Sequence, residues 1–516
     1  MGASGSTEVA RWRRMASRRD VWFAASALLA VAHFARMYDG NQAMLTDTRY
    51  FTYFGIGVAD GAVPHLDFFG PKTQFASLFA GLLVAAGSLV GATDLVAVRV
   101  GFLGLTATGA VLLFVLHRTL AGGENPPALL GMLPYLGFAY IGMLPATGAV
   151  PKLIMAVAMT GAAIAVARRS WFAAGVISAL APLDWQVGVL ACFGVFVAAM
   201  MDREPRRALL QSALGVSLIA AMFLAYFAIN GALEPLLVQV VGASFARGAE
   251  TGGPILKYAG IYHRLIMHCG GEFWLLWLAG AGLIALPVWL RMERWREVRQ
   301  PLVAMAVYHY GLLLFSLFDF QGSGDTMVLL HTAAFFAGVA LISLVLALES
   351  CLEDPAAKRW PMLVAIAAVL LLVQPALSQP TRLWTPDAPA TVTLQDQQSF
   401  ARRLAPLVAG RTVLVLGPTE QLVLGDFDAV SDYVYWNDAT EFDYAHNRGL
   451  PAGGLLGTLL AEYEPGVIVA SMFFGLSAGL PYREADLGQP GGYAIRVFVR
   501  DAPAPPSFPK TTEVVE

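Results

Sequence analysis

Eleven apolar runs dominate this chain, and most are about as long as a helix needs to be to cross a ~30 Å hydrocarbon layer. They are Val21 to Tyr38, Phe75 to Val90, Leu95 to Leu116, Ala128 to Leu144, Ala149 to Ala167, Trp171 to Met201, Leu209 to Ile229, Phe273 to Leu290, Leu302 to Phe318, Met327 to Leu348 and Met362 to Leu377. Only helices and closed barrels satisfy their backbone groups in lipid, and runs of this length read as helices. Composition agrees: 57% of the 516 residues are hydrophobic and 14% charged, against roughly 25% charged in a soluble domain. An ordinary soluble globular protein is excluded.

The charges set the orientation. Arg11, Arg13, Arg14, Arg18 and Arg19 precede the first run, and cytoplasmic segments are those that accumulate Lys and Arg. Residues 1–20 therefore read as a basic cytoplasmic N-terminus, followed by an uncleaved first span. The later clusters Arg118, Arg168–Arg169, Arg203–Arg207, Arg291–Arg299 and Lys358–Arg359 should face the same side. This condition requires an even number of crossings between successive clusters. Phe75 to Val90, one of the shortest runs, is then a helix on the outer interface, and Trp171 to Met201 is a hairpin of two short spans turning near Asp184. The expectation is a polytopic α-helical membrane protein of about eleven spans over residues 21–379, with outer loops at 39–94 and 230–272.

From Pro380 onward no run can cross. Up to Gln379 the chain has 25 Lys plus Arg against 21 Asp plus Glu, and beyond it 9 against 16. Residues 380–516 read as an acidic, water-facing α/β domain outside the membrane, with strands at Arg411 to Leu416, Gly466 to Ala470 and Tyr493 to Arg500. Its expected helices are Ser399 to Val408 and Gly454 to Tyr463. Val415-Leu-Gly-Pro418 reads as a plain turn. A net charge of -3 offers no basic field for nucleic acid. Cys192, Cys269 and Cys351 are too scattered for a disulfide framework or a zinc site.

Chemistry is then expected on the outer face. The first outer loop carries Asp47, Arg49, Tyr50, Pro64, His65, Asp67, Pro71 and Lys72. Phe51, Phe54 and Val58 repeat at helical spacing, so a membrane-lying helix starts near Thr46 or Asp47. Taken singly, Asp47 reads as a helix cap and Asp67 as a solvated loop residue. Lysine is rare: there are 5 lysines to 29 arginines, and Lys72, Lys152 and Lys257 fall on outer connections.

Asp47-Thr-Arg49-Tyr50 soon after the first span, then Pro64-His65, Pro71-Lys72 and a span bearing Arg99, resemble the first outer loop of GT-C glycosyltransferases. Aminoarabinose transferases and bacterial protein-mannosyltransferases are the most similar kinds. The resemblance implies a bacterial inner-membrane enzyme that moves a sugar from a polyprenyl-phosphate donor to a lipid or glycan acceptor hydroxyl at the outer face. A phosphodiester leaving group is already stable as an anion, so what is needed is a carboxylate to take the acceptor proton and cations to hold the departing phosphate. Asp47 is the expected base, with Asp67 in reserve. Lys72, Arg264, Arg49 and His65 are expected at the phosphate, with Tyr50, Lys152 and Asp184 in support. No residue spacing demands a metal; a divalent ion is possible but not required, and the cofactors stay unknown. The chain departs from the family pattern in one respect: Lys152 stands where members often place an acid, and Asp184 where they often place a lysine. The two could pair, or each could reach interfacial water alone. The competing classes are a transporter or lipid flippase, and a non-catalytic envelope assembly protein.

Overall fold

The computed structural model describes residues 19–70, 72–242, 274–318, 323–352, 360–378, 392–431, 455–471, 481–489 and 495–501. Up to residue 378 the main helices are α1 (Arg19–Ala35), α2 (Thr46–Ala59), α3 (Phe75–Ser88), α4 (Asp94–Leu120), α5 (Asn125–Gly137), α6 (Pro151–Ala167), α7 (Trp171–Ser178), α8 (Val189–Met200), α9 (Pro205–Ile229), α10 (Trp274–Trp289), α11 (Arg299–Phe318), α12 (Ser323–Ser350) and α13 (Trp360–Ser378). Among the described residues, Asp94–Leu120, Pro205–Ile229, Trp295–Leu317 and Asp325–Ser350 are long and apolar enough to cross a membrane. A fifth such stretch is bent by 71°, between Asn125–Gly137 and Ala139–Thr147. Phe138, with extended backbone, makes the bend, one turn after Pro134 has removed a helical hydrogen bond.

The most enclosed helix is α6. Nearly all of its side chains are buried, and α4, α7, α11 and α12 pack around it. At its C-terminal end Arg169 donates to both oxygens of Asp202, at 2.6 and 2.8 Å. Two of the arginine clusters thus sit at one end of the bundle. Lys152, in the first turn of α6, marks the other end.

The Trp171 to Met201 run forms two helices, α7 and α8, separated by a turn that carries Pro182 and Asp184. Helix α3 has 14 residues, about 21 Å at 1.5 Å per residue, which is short for a crossing. It lies against α2, where Gly55 meets Ala80 so closely that a Cβ on the glycine would overlap the Ala80 methyl.

Beyond residue 391 come α14 (Leu394–Val408), β1 (Val413–Leu416), α15 (Glu420–Gly425), α16 (Leu455–Tyr463), β2 (Val467–Ser471), β3 (Tyr482–Ala485) and β4 (Ile495–Arg500). The sheet order is β1-β2-β4-β3; β1 and β2 are parallel, and the other two pairs are antiparallel. Alternation along the strands separates two apolar faces. Leu414, Leu416, Ile468 and Phe498 join Leu459 and Leu460 of α16, while Val413, Val415, Val467 and Val499 lie in the cluster that contains Phe400 and Leu404 of α14. Helix α14 opens on a capping box in which Thr393 Oγ1 accepts from the Asp396 amide and Asp396 accepts from the Thr393 amide. Strand β3 was not expected from the sequence, because Tyr-Arg-Glu-Ala on a sheet edge carries little apolar signal. After Gly417-Pro418, where a plain turn was expected, the chain enters the short helix α15.

Candidate functional site

Asp47 sits in the first turn of α2. The residue capping this helix is Leu45, without a side-chain cap, so Asp47 is not the N-cap that its residue type suggests. The first turn is held by threonines. Thr48 Oγ1 takes part in hydrogen bonds with the Leu45 carbonyl (2.5 Å) and Thr147 Oγ1 (2.9 Å). Thr52 Oγ1 accepts from the Ala149 amide at 3.1 Å. Gly148 lies between them at φ 155°, where a Cβ would come 2.7 Å from Thr52 Oγ1 and 2.9 Å from the Thr48 carbonyl. Only glycine fits that approach. The first turn of α2 is thereby pressed onto the loop leading into α6, and Asp47, Thr48, Leu144, Ala149, Val150, Pro151 and Lys152 line a cleft between them.

Lys72 reaches the same cleft from the loop after α2. Its Nζ is 3.4 Å from Asp47 Oδ2 and 5.5 Å from the centre of the Phe51 ring. That loop is pinned on both sides of Lys72. The Tyr50 hydroxyl donates to the Phe69 carbonyl at 2.9 Å, Thr73 Oγ1 donates to the Pro182 carbonyl at 3.0 Å, and the Phe75 amide donates to the Leu183 carbonyl at 3.1 Å. The last two bonds bring the α7–α8 turn, with Asp184, up to Lys72. Lys152 forms a buried ion pair with Asp325 in the first turn of α12, and its Nζ lies 4.4 Å from the centre of the Trp185 ring.

Three carboxylates and two ammonium groups therefore meet at one end of the bundle. Burial works to raise the Asp47 carboxyl, yet its side chain is 41% exposed. Lys72 first, then Lys152 and Arg49, hold it below the usual aspartate range. It is ionised at neutral pH. Asp184 behaves oppositely. It is fully buried and neither oxygen has a hydrogen-bond partner among the described residues; burial pushes it up to about 8, against the pull of Lys72 and Lys152. At neutral pH Asp184 carries its proton, which leaves Lys72, the ionised Asp47 and the Lys152–Asp325 ion pair to set the field of the cleft.

The other expected residues are placed elsewhere. Arg49 points away from Asp47 and donates to Glu420 Oε2 of α15 at 2.9 Å, with both side chains buried. Tyr50 secures the loop before Lys72. His65, at φ 68°, exchanges bonds with Gln239: Nδ1 lies 2.8 Å from Gln239 Oε1, and Gln239 Nε2 donates to the His65 carbonyl. Burial holds the His65 ring down to about 4, so it is neutral at pH 7 and brings no charge to a phosphate. Asp67 is exposed and accepts from the Val63 amide at 2.6 Å. Arg99, buried on α4, donates to the Gln42 carbonyl at 2.6 Å and tethers the segment before α2. Arg264 lies outside the described residues. Of the pairings the sequence left open, Lys152 takes Asp325 rather than Asp184. A charge such as Asp325 at the end of an apolar helix is costly unless it is paired, and Lys152 supplies the pair. Glu420, Trp185 and Gln239 carried no signal, because each matters through a partner far along the chain. Among the described residues no three His, Cys, Asp or Glu side chains converge in a way that could hold a metal ion.

No family model matches the sequence, and no curated protein matches it. Solved structures do. ArnT from Cupriavidus metallidurans bound to undecaprenyl phosphate superposes with a TM-score of 0.60 at 14% identity, over 93% of this chain and 98% of that one. The oligosaccharyltransferase AglB from Archaeoglobus fulgidus, in complex with an inhibitory peptide and a dolichol-phosphate, gives 0.55 at 12% identity over 88% of this chain and 70% of its own. The arabinofuranosyltransferase AftD from Mycobacteria gives 0.52 at 16% identity, with this chain spanning 40% of its length. At such identities the common property is the architecture, and by that measure this chain has a GT-C-like fold.

Proposed function

We propose that the protein is a membrane glycosyltransferase that transfers a sugar from a polyprenyl-phosphate donor to an acceptor hydroxyl at the outer face of a bacterial inner membrane. The observation that carries this reading is the Asp47 carboxylate, ionised and partly exposed, 3.4 Å from the Lys72 ammonium in the cleft that Lys152 also lines. Solved neighbours of the fold include ArnT bound to undecaprenyl phosphate and AglB with a dolichol-phosphate. In the proposed reaction the acceptor oxygen attacks the anomeric carbon and gives its proton to Asp47. The bond from that carbon to the phosphate oxygen breaks, and the phosphate leaves with its electron pair between Lys72 and Lys152. Arg264, on the 230–272 loop, is the further candidate cation, and Asp67 the reserve base.

The same reading gives the topology: eleven spans, N-terminus inside, α3 on the outer interface, and residues 380–516 in the periplasm. Arg169 and Asp202 tie basic turns at one end of the bundle, opposite the cleft, which supports placing the cleft outside. The test is a transfer assay with the purified full chain and a panel of radiolabelled undecaprenyl-phosphate sugars, guided by the glycan missing from a deletion strain. Label appearing on an acceptor fits the proposal. Lipid movement across vesicles without any sugar transfer would replace it with a flippase.

A further inference from the structure

The segment that delivers Asp47 is held from two directions. From the bundle side, Thr147 and Ala149 bind Thr48 and Thr52. From the opposite side the holding groups belong to the C-terminal domain, more than three hundred residues away. Gln397, fully buried on α14, accepts from the Met44 amide at 2.8 Å and donates to the Met44 carbonyl at 3.0 Å. It pairs with Met44 much as a neighbouring strand would. One turn earlier, the first amides of α14 find partners on the same segment: Leu394 donates to the Asn41 carbonyl at 2.8 Å, and Gln395 to Asn41 Oδ1 at 2.9 Å. These amides are among those that a helix leaves without internal partners. Past Asp47, Glu420 at the start of α15 binds Arg49 at 2.9 Å with its own side chain fully buried. Asp47 thus stands between two buried tethers, three residues after the first and two before the second.

We propose that Gln397 and Glu420 are positioning residues, through which the C-terminal domain fixes the first turn of α2 and sets the Asp47 carboxylate against Lys72 and Lys152. The proposal rests on the reading of Asp47 as the base. A domain held by these bonds for stability alone would need no contact with this particular segment, yet both fully buried polar tethers fall within three residues of Asp47. Cutting either tether releases the first turn by a fraction of its hydrogen bonding, and displacement on the order of 1 Å at a reacting group is enough to cost up to ~100-fold in rate.

The experiment uses the purified full chain and three variants: Gln397→Leu, Glu420→Gln and Asp47→Asn. Turnover is read with the undecaprenyl-phosphate sugar that supports transfer, and binding with undecaprenyl phosphate alone. Gln397→Leu and Glu420→Gln are expected to lower kcat roughly 10- to 100-fold while the donor KM and the affinity for undecaprenyl phosphate change less than about twofold. The acid limb of their pH profile should rise toward the ordinary aspartate range, because a released Asp47 loses the hold of Lys72. Restoring the carboxylate with Glu420→Asp should recover part of kcat. Hydrogen exchange should quicken at the amides of 44–50 and stay unchanged in β1, β2 and β4; this measurement does not depend on activity. Unchanged kcat and acid limb in both variants, with Asp47→Asn inactive, would overturn the positioning role and leave the base intact. An active Asp47→Asn would overturn the base itself, whatever the other two show. Faster exchange across the whole sheet would make the tethers structural and likewise end the proposal.

Discussion

At the scale of single residues, two aspartates at the same end of the bundle, one lining the cleft and one sealed in near it, have surroundings that drive them apart. Asp47 is exposed enough to be solvated and has lysines beside it, so it gives up its proton early; Asp184 is sealed in and keeps its own. The pH–rate profile, measured as kcat/KM against pH, should therefore have an acid limb below the usual aspartate pKa of about 3.9. For Asp184 the sign works through stability. The folded protein retains this proton to about pH 8, whereas an unfolded aspartate loses it near ~3.9. Folding then takes up a proton between those values, so the stabilisation is complete below the lower value and is lost as pH rises to the upper one. Melting temperatures in detergent should fall from pH 6 to pH 9, and Asp184→Asn should flatten that fall; an unaltered slope would remove Asp184 as its source. Rarity singled out Lys72 and Lys152 in the sequence, and the resemblance of the first loop, rather than residue type, singled out Asp47. The partner of Lys152 was not legible, because Asp325 is 173 residues away and sequence spacing holds no information on which helix ends meet.

Among the elements, the helices were the most legible part. The apolar runs reappear as helices within a few residues of their sequence limits, as with Leu95 to Leu116 inside Asp94–Leu120 and Met327 to Leu348 inside Ser323–Ser350. Hydrophobic length is a direct record of the solvent a helix must satisfy. The break at Phe138 and the strand β3 were not legible, since a bend is settled by packing and an edge strand needs little apolar surface. The loop before α6 was also opaque, although it seats α2. Gly148→Ala tests its importance. With a Cβ 2.7 Å from Thr52 Oγ1 at a positive φ, the change should cost about 1 to 3 kcal/mol and lower transfer, whereas the same substitution at Gly104, which has open space around it, should be nearly silent. Equal melting curves for the two would contradict the close fit. For α3, cysteines at Asp60 and Thr93 in a cysteine-free background should both react with an impermeant reagent from outside. Gly70 is a poor probe site because the Gln74 side chain already fills the space a Cβ would take. Labelling of Thr93→Cys only from the cytoplasm would redraw the topology.

For the molecule as a whole, the GT-C-like fold brings together an enclosed helix bundle, the segment between α1 and α2 lying across its end, and a small α/β domain bound to that segment and to α2 through Asn41, Met44 and Arg49. The sequence indicated the two kinds of region through their composition and charge. It did not indicate that the C-terminal domain grips the residues around Asp47, because those contacts join positions over 350 residues apart. The central claim is that this cleft holds a polyprenyl phosphate by its lysines and activates an acceptor by Asp47. The measurement that tests it most directly compares Asp47→Asn and Lys72→Met in one assay, reading affinity for undecaprenyl phosphate together with sugar transfer. Asp47→Asn should bind undecaprenyl phosphate at least as well as the parent, having lost a negative charge, while transfer falls by about 10²- to 10⁴-fold. Lys72→Met should weaken binding itself. Near-normal transfer by a folded Asp47→Asn protein, or undiminished binding by Lys72→Met, would contradict the claim.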